Sequence, residues 1–553
     1  MIQLFRWRVR AVALVGATGL VLGAVACTST ATPNGPSGSV APTGSAVAAG
    51  PSLLRLGVSR PDAARPGAGL DTLDPADVVP TNQADMIAVD LLFESLTTID
   101  PTTNEAEPAL AEKVTPNENL TVWTFTLRSG AQFSDGTAIK ASDVKFTLER
   151  IARKGVSSLP GASLDVIAGY ADFVKSTDPN AGLAGIQVVD DRTITVTTSE
   201  PFAVLPELLA SPLYGIVPLA AVVAAQGQFG EKPVGSGSFA FVAGGDEKVE
   251  LTRAPGSAAK VEKVELVKFA DRDAVLAAMR EKKVDWAEVP AGREATPDLG
   301  EVKPGPASSE SFFAFNLGSP QYQDGRFRQA IVKAIDRNQL ASTVLHSSQP
   351  LNGVVPPTLP GGQPDACGEG CIYDLDGARA KLAEVFPAGN IPTVQIDVYT
   401  GTSEDAQTQQ GVAGSIKANL ANVGITAEVR PHSFEEYRQF VVDPNRQLFT
   451  YGWVGLAPEP EFFLSRLFLS SSGDNVTGFN DANVDTAIKD ARATGDRAAR
   501  LAKYQAIEKV IMGGAPIMPL AVLNSSVVIG SGVGGYQPRF DGTFVADAIT
   551  VTR

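Results

Sequence analysis

The chain is 553 residues long, 44% apolar and 19% charged, with 53 Gly and 38 Pro. That is a globular composition over a length sufficient for two to four domains. Its 46 basic and 61 acidic residues leave a net charge of -15, which argues against binding a phosphate backbone and removes nucleic acid from the expected partners. Two His (His346, His432) and three Cys are too few for a Cys/His zinc framework or a disulfide-dense scaffold, and no metal or other cofactor is expected. No run of 18 apolar residues occurs beyond the N-terminus, which excludes a polytopic membrane protein.

Arg6, Arg8 and Arg10 precede an uncharged run of apolar and small residues, 11–26. The run is short for a membrane span and reads as an export signal over 1–26. Ala24, Val25, Ala26 and Cys27 resemble a bacterial lipobox, in which cleavage before Cys27 frees it for lipid attachment. Ala24 stands where that pattern usually has Leu, and the alternative is ordinary signal cleavage beside an incidental Cys. Residues 28–52 carry no charge and consist mainly of Ser, Thr, Pro, Gly and Ala. Such a segment cannot bury a core, so 27–52 is expected to be a disordered tether between a lipid anchor and the folded body. The expected location is the extracytoplasmic face of the cell membrane.

Strand patterns open the body. Residues 121–128 alternate, with Trp123, Phe125 and Leu127 on one face, and 192–198 alternate through Ile194 and Val196. Half-buried strands of this kind point to antiparallel sheet. Further on, 264–269 reads as a strand, Asp271 or Asp273 caps a helix reaching Arg280, and 284–289 is again a strand. The same order recurs later: a strand over 393–400, a helix to about Asn422 with Ile416 and Leu420 inward, and a strand over 425–429. Both are βαβ-like, so parallel sheet is expected in two separated regions. Helices are expected over 326–345 and 496–512, capped by Asp324 and Asp496. Cys367 and Cys371, beside Pro364, are expected to close a small disulfide loop in an exported chain. No internal repeat of 20 to 50 residues occurs.

A series of blocks then carries a resemblance. In order they are Leu73 to Pro75; Leu91 to Leu96; Pro108 to Glu112; Trp123 to Arg128; Phe133 to Thr137 with Ala141 to Val144 and Phe146; Gly235 to Phe239; Phe315 and Asn316; Arg326 to Ala330 running into Ala334 to Arg337; Asn475 to Phe479; and Pro516 to Leu520. Together they resemble the extracellular solute-binding proteins of ATP-driven importers, peptide/nickel class (family 5), over nearly the whole body. The blocks also have local readings: Asp135 and Gly136 make a turn, Asp143 caps the helix of Val144 and Phe146, and Asp336 with Arg337 serves packing and surface pairing.

The resemblance implies an α/β, two-lobed periplasmic-binding-protein-like fold (cluster C type) with an extra inserted α+β domain. Lobe I would comprise 53–94, 212–313 and 517–553, the insert 95–211, and lobe II 314–516. The crossings near Phe315 and Asn316 and near 516–519 would act as hinges for closure about a ligand. The expected partners are a peptide or peptide-like ligand, the permease subunits of an ABC importer with their ATPase, and the membrane through the lipid anchor. The chain is expected to be a monomer.

In peptide-binding members the ligand lies extended between the lobes, and a carboxylate faces its ammonium group. Here that segment is Tyr451 to Glu461, with Gly452, Trp453, Val454, Gly455 and Leu456 expected at the ligand. The anchor position falls on Leu456, which cannot pair with an ammonium. Either Glu459 compensates in a rearranged loop, or the ligand lacks a free amine there. Trp453 is read as a cleft aromatic, the alternative being a plug of the lobe II core. Asn316 contacts ligand or steadies the hinge. Asp71, on an expected strand at 69–72, is a second cation partner or a solvated turn residue; Phe479 and Asn480 are weaker candidates beside Gly478. Enzyme classes find little support. Gly530 to Gly535 fits GxGxxG, but no helix pattern follows, and no Gly-x-Ser-x-Gly elbow with a matching His is present. The chain is therefore read as a non-enzyme, with an envelope sensor or chaperone-like lipoprotein as the other binding class.

Overall fold

The computed structural model describes residues 52–60, 69–155, 159–289, 296, 298–305, 308–345, 350–401, 404–522 and 526–552. The export signal, Cys27, the tether up to residue 51 and His346 lie outside the described residues.

Two large sheets organise the body. The first has seven strands in the order Glu301–Pro304, Ser526–Ile529, Trp286–Val289, Leu53–Ser59, Lys263–Phe269, Lys248–Arg253 and Phe239–Gly244. Leu53–Ser59 is parallel to both Lys263–Phe269 and Trp286–Val289, and the helix Arg272–Arg280 bridges the latter pair. Asp271 caps that helix by accepting from the Ala274 N–H, and Val275, Leu276, Ala278 and Met279 are buried. The second sheet has five strands, Ala427–Ser433, Val394–Thr400, Leu448–Val454, Ser309–Phe315 and Ile517–Val522. Val394–Thr400 is parallel to Ala427–Ser433 and linked to it by the helix Glu404–Ala421, with Ile416 and Leu420 buried. Both βαβ units are thus present, each joining two parallel strands through a crossover helix, with Leu53–Ser59 lying between the two strands of the first unit.

The chain passes from the first sheet to the second between Pro304 and Ser309 and returns between Val522 and Ser526. The lobe II boundaries expected at 314 and 516 are therefore misplaced. Ser309–Phe315 and Ile517–Val522 pair with each other and lie wholly in the second sheet. The reason is burial: from Glu310 to Phe315 every residue is buried, so the strand is central.

A third, four-stranded antiparallel sheet holds Ala111–Pro116, Val122–Leu127, Thr193–Thr197 and Ile186–Val188. Trp123, Phe125 and Leu127 point into its core, as their alternation requires. The helix Ala141–Ala152 belongs to the same segment. Asp143 does not precede this helix but closes it from its third position, accepting from the Lys140 N–H. The segment departs after Glu94 and rejoins at Ile216, whose N–H reaches the Glu94 carbonyl. It also touches the second lobe through three ion pairs, Arg497 with Glu105, Lys489 with Glu200 and Arg466 with Asp165, and through the edge-on rings of Phe202 and Phe462.

Two further differences from the sequence reading have local causes. The helix expected over 326–345 breaks into Gly325–Ala334 and Arg337–Thr343, because the Asp336 carboxylate caps a new helix by accepting from Gln339 N–H. Arg337 is buried, donating to the Leu351, Pro519 and Cys371 carbonyls and to Asn352, so it makes no surface pair. Cys367 and Cys371 are disulfide-bonded.

Candidate functional site

The carboxyl ends of parallel strands are where α/β proteins place their ligands, because loops rather than packed helices leave that edge. In the first sheet this edge carries Ser59, Phe269 and Val289, together with Pro304 and Ser526, which their antiparallel registers bring alongside. In the second it carries Thr400, Ser433 and Val454, alongside Ser309 and Val522. Both passages between the sheets leave and enter at these edges, so the two edges flank the connection and define the candidate cleft.

On the first lobe, Ser59, Thr81, Gln83, Arg272 and Glu288 line a small recess at this edge. Asp85 lies beside it, accepting from the Asp71 and Thr72 N–H groups. Burial is the main cause that raises its carboxyl to about 7. Residues 69–72 form no strand; Leu70 N–H instead reaches the Ser59 carbonyl. Asp71 is exposed, with the Asn82 side-chain amide 3.4 Å from its carboxylate, so it sits at the rim as a turn residue.

On the second lobe the strand Leu448–Val454 is paired along its whole length with Ser309–Phe315. On its other side it pairs with Val394–Thr400 only at Leu448 and Phe449. Beyond Phe449 the two parallel strands diverge. The Thr450 carbonyl is taken by the Tyr437 hydroxyl, which leaves Tyr451 to Val454 with no strand partner on that side among the described residues. Gly452 is exposed and Val454 half-buried. An edge of this kind, with a side chain missing at its middle, can receive an extended backbone.

The side chains next to that edge depart from expectation. Trp453 is 7% exposed and its indole N–H donates to the Phe462 carbonyl at 2.6 Å. It plugs the lobe II core rather than covering a cleft. Gly455 follows; its N–H bonds the Ser308 carbonyl, and a Cβ there would stand 2.3 Å from the Phe463 ring, so only Gly fits. Leu456 is buried in the same core. Glu459 is fully buried and held by Arg497 and Arg500 at 3.1 and 3.2 Å, so it is no substitute anchor for a ligand amine.

Asn316 and Phe479 lie at the wrong end. Asn316 follows the last residue of Ser309–Phe315, a seven-residue strand, roughly 20 Å from the cleft edge at the usual rise. Its amide donates to the Pro444 and Arg446 carbonyls and its carbonyl oxygen accepts from Gly318 N–H. The loop of Phe479 is tied to that same end, through Leu317 N–H to the Thr477 carbonyl, and its ring packs edge-on against Phe468. The block Phe315 and Asn316 marks the strand correctly, but its direction in the sheet cannot be read locally.

Sequence reasoning missed Glu310, the second residue of Ser309–Phe315. It faces Trp453 on one neighbouring strand and Val522 on the other. It is fully buried, and neither carboxylate oxygen has a hydrogen-bond partner among the described residues. Burial first, and the Glu508 carboxylate second, push its carboxyl well above the ordinary glutamate range. Among the described residues no group of three His, Cys, Asp or Glu could hold a metal, and no helix is long and apolar enough to cross a membrane.

The family model for bacterial extracellular solute-binding proteins, family 5, middle region, matches residues 105–475. The chain is 26% identical over 514 residues to the periplasmic oligopeptide-binding protein OppA of Escherichia coli K12, covering 88% of this chain and 91% of that one. It is 24% identical over 477 residues to the glutathione-binding protein GsiB of the same strain, covering 82% and 88%. Among solved structures, that of clavulanic acid biosynthesis oligopeptide binding protein 2 superimposes with a TM-score of 0.77 at 22% identity, over 91% of this chain and 95% of that one.

Proposed function

Because this chain belongs to the bacterial extracellular solute-binding proteins of family 5, we propose that it is the receptor of an ATP-driven importer, capturing a peptide or peptide-like solute between its two lobes and delivering it to a membrane permease. The observation that carries this reading is the half-open strand Leu448–Val454, whose Tyr451 to Val454 stretch lacks a partner on one side and exposes Gly452. A peptide added there gains main-chain hydrogen bonds that do not depend on its sequence. The printed names of OppA and GsiB, an oligopeptide and a glutathione binder, agree with a peptide-like ligand. The fold reaches the second sheet and leaves it by two passages at the cleft edge, which suits hinged closure. The N-terminal pattern ending at Cys27 supports export and a lipid anchor, hence tethering at the extracytoplasmic face.

The alternative within the same fold is a non-peptide or N-blocked ligand. It is favoured by Leu456 at the expected anchor position and by the engagement of Glu459 with Arg497 and Arg500. Titration calorimetry on the full chain, stripped of bound ligand by unfolding and refolding, tests the reading. Tri- to pentapeptides are expected to bind with micromolar or tighter Kd. Absence of binding to any of them, with the refolded state intact by circular dichroism, contradicts it.

A further inference from the structure

We propose that Asp85 is a positioning residue for ligand capture: it clamps the turn Gly69 to Thr72 at the rim of the first lobe, and losing its proton loosens that turn. The inference rests on the cleft reading above and adds to it a control by pH.

The turn belongs to no strand, and its main-chain tie to the sheet is the Leu70 N–H on the Ser59 carbonyl. The start of the helix Gln83–Leu92 supplies the remaining ties. Asn82, the cap of that helix, donates to the Gly69 carbonyl at 2.7 Å. Asp85 accepts from the Asp71 and Thr72 N–H groups at 2.7 and 3.2 Å, both on Oδ1. Its own N–H is taken by the Asn82 side chain, so cap and clamp form one unit. Asp85 is 1% exposed, and its carboxyl is kept from water while the turn is in place.

The clamp sits where a ligand between the lobes would meet the first sheet. Ser59 and Phe269 end two parallel strands at the cleft edge, and the Arg60 N–H reaches the Phe269 carbonyl. The turn lies directly on that strand end, since a Cβ at Gly69 would stand 2.1 Å from the Arg60 carbonyl oxygen. Asp71 is exposed on its outer side.

Proton binding and grip are linked here. Burial is the main cause that raises the Asp85 carboxyl to about 7, and the Asp71 charge adds to it; the two N–H groups of the turn and the Lys268 charge act the other way. Lys268 is half-buried on Lys263–Phe269, with Asp246 and Arg60 acting on it as well. When the turn lets go, water reaches the Asp85 carboxyl, which returns to an ordinary value of about 4. The clamped state therefore holds a proton that the released state gives up to solvent. Grip is complete at low pH and is lost as pH rises through 7, the bias toward release growing roughly 20-fold between pH 5.5 and 7.5.

The test uses the full chain. Hydrogen exchange at pH 7.5, read by mass spectrometry on fragments spanning 69–72, is expected to be at least fivefold faster in the wild type than in Asp85→Asn, whose amide keeps the acceptor and the shape of the neutral acid. Calorimetry with the tightest binder among the tri- to pentapeptides then compares pH 5.5 with pH 7.5, the chain being folded at both by circular dichroism. The wild-type Kd is expected to weaken at least threefold, and that of Asp85→Asn to stay within 1.5-fold. Asp85→Ala, which has no acceptor, is expected to bind weakly at both pH values and repeats the reading if Asp85→Asn does not fold. Equal exchange in wild type and Asp85→Asn overturns the clamp. A difference in exchange with superimposable Kd profiles overturns its part in capture and leaves the peptide reading standing. No peptide binding at either pH, with the exchange difference present, overturns the cleft reading and with it the part in capture.

Discussion

Removing the Glu459 carboxylate tests how the second lobe is locked, because two guanidinium groups depend on it. Arg497 Nε lies 3.1 Å and Arg500 Nη2 3.2 Å from its Oε1. The Arg500 side chain is 4% exposed and Arg497 23%. Breaking a buried pair by removing one partner costs ~3–5 kcal/mol, since the other charge is left without its counterpart. Two features move Glu459→Gln to the lower end of that range. Arg500 keeps the Thr494 and Gly495 carbonyls, and Arg497 keeps Thr103, Asn104 and Glu105. Glu207 also lies beside the cluster, its carboxyl raised to about 7 by burial first and by the Glu459 charge second, and one of its oxygens has no hydrogen-bond partner. When Glu459 is neutralised, Glu207 loses that repulsion and becomes the carboxylate facing both arginines. The expected loss is about 3 kcal/mol by urea unfolding at pH 8. Glu207→Gln alone is expected to be neutral or stabilising at that pH. The double variant should lose more than the two single losses added, because no carboxylate then faces the buried Arg500, while Arg497 keeps only Glu105. A loss below about 1 kcal/mol for Glu459→Gln, or additive losses, refutes this account of the cluster.

The remaining predictions concern the core, pH and the disulfide. Trp453→Ala is expected to destabilise by ~3–5 kcal/mol through the cavity left in the core, and Trp453→Phe by about 1 kcal/mol through the lost indole hydrogen bond; thermal melts check both. Asp85, Asp90 and Glu207 carry carboxyls raised to about 7, 6 and 7, burial being the largest cause in each. A raised folded-state pKa means that the native chain holds protons the unfolded one has released. That stability is complete below about pH 4 and is lost as pH rises through 6 to 7. For these groups the urea midpoint should therefore fall between pH 5 and pH 8, and Asp85→Asn should flatten the fall. Replacing both Cys367 and Cys371 by Ser should cost no more than about 2 kcal/mol, because the loop they close is short; equilibrium unfolding in urea reads the difference.

Local periodicity made much of the fold legible. The strand alternation of Trp123, Phe125 and Leu127, the Asp271 cap and the strand–helix–strand order of the two βαβ units are each carried by the pattern of one short segment at a time. What was not legible depends on distant pairing. Ser309–Phe315 does not alternate because it is covered on both faces, so the end of the strand at Asn316 resembled a crossing point. Its antiparallel direction then put Asn316 at the far end of the sheet and brought Glu310 to the cleft edge. Trp453, expected as a cleft aromatic, lies on the half-open strand, but its side chain turns inward to Phe462. The engagement of Glu459 with Arg497 and Arg500 joins residues about forty positions apart and leaves no local pattern. An acid at the start of a strand ordinarily reads as solvated, which is why Glu310 gave no signal.

The central claim is capture of a peptide-like solute between the lobes, and native mass spectrometry of the full chain as it is purified tests it most directly. The account predicts a ladder of short-peptide masses released on denaturation. A single non-peptide species occupying the protein contradicts it.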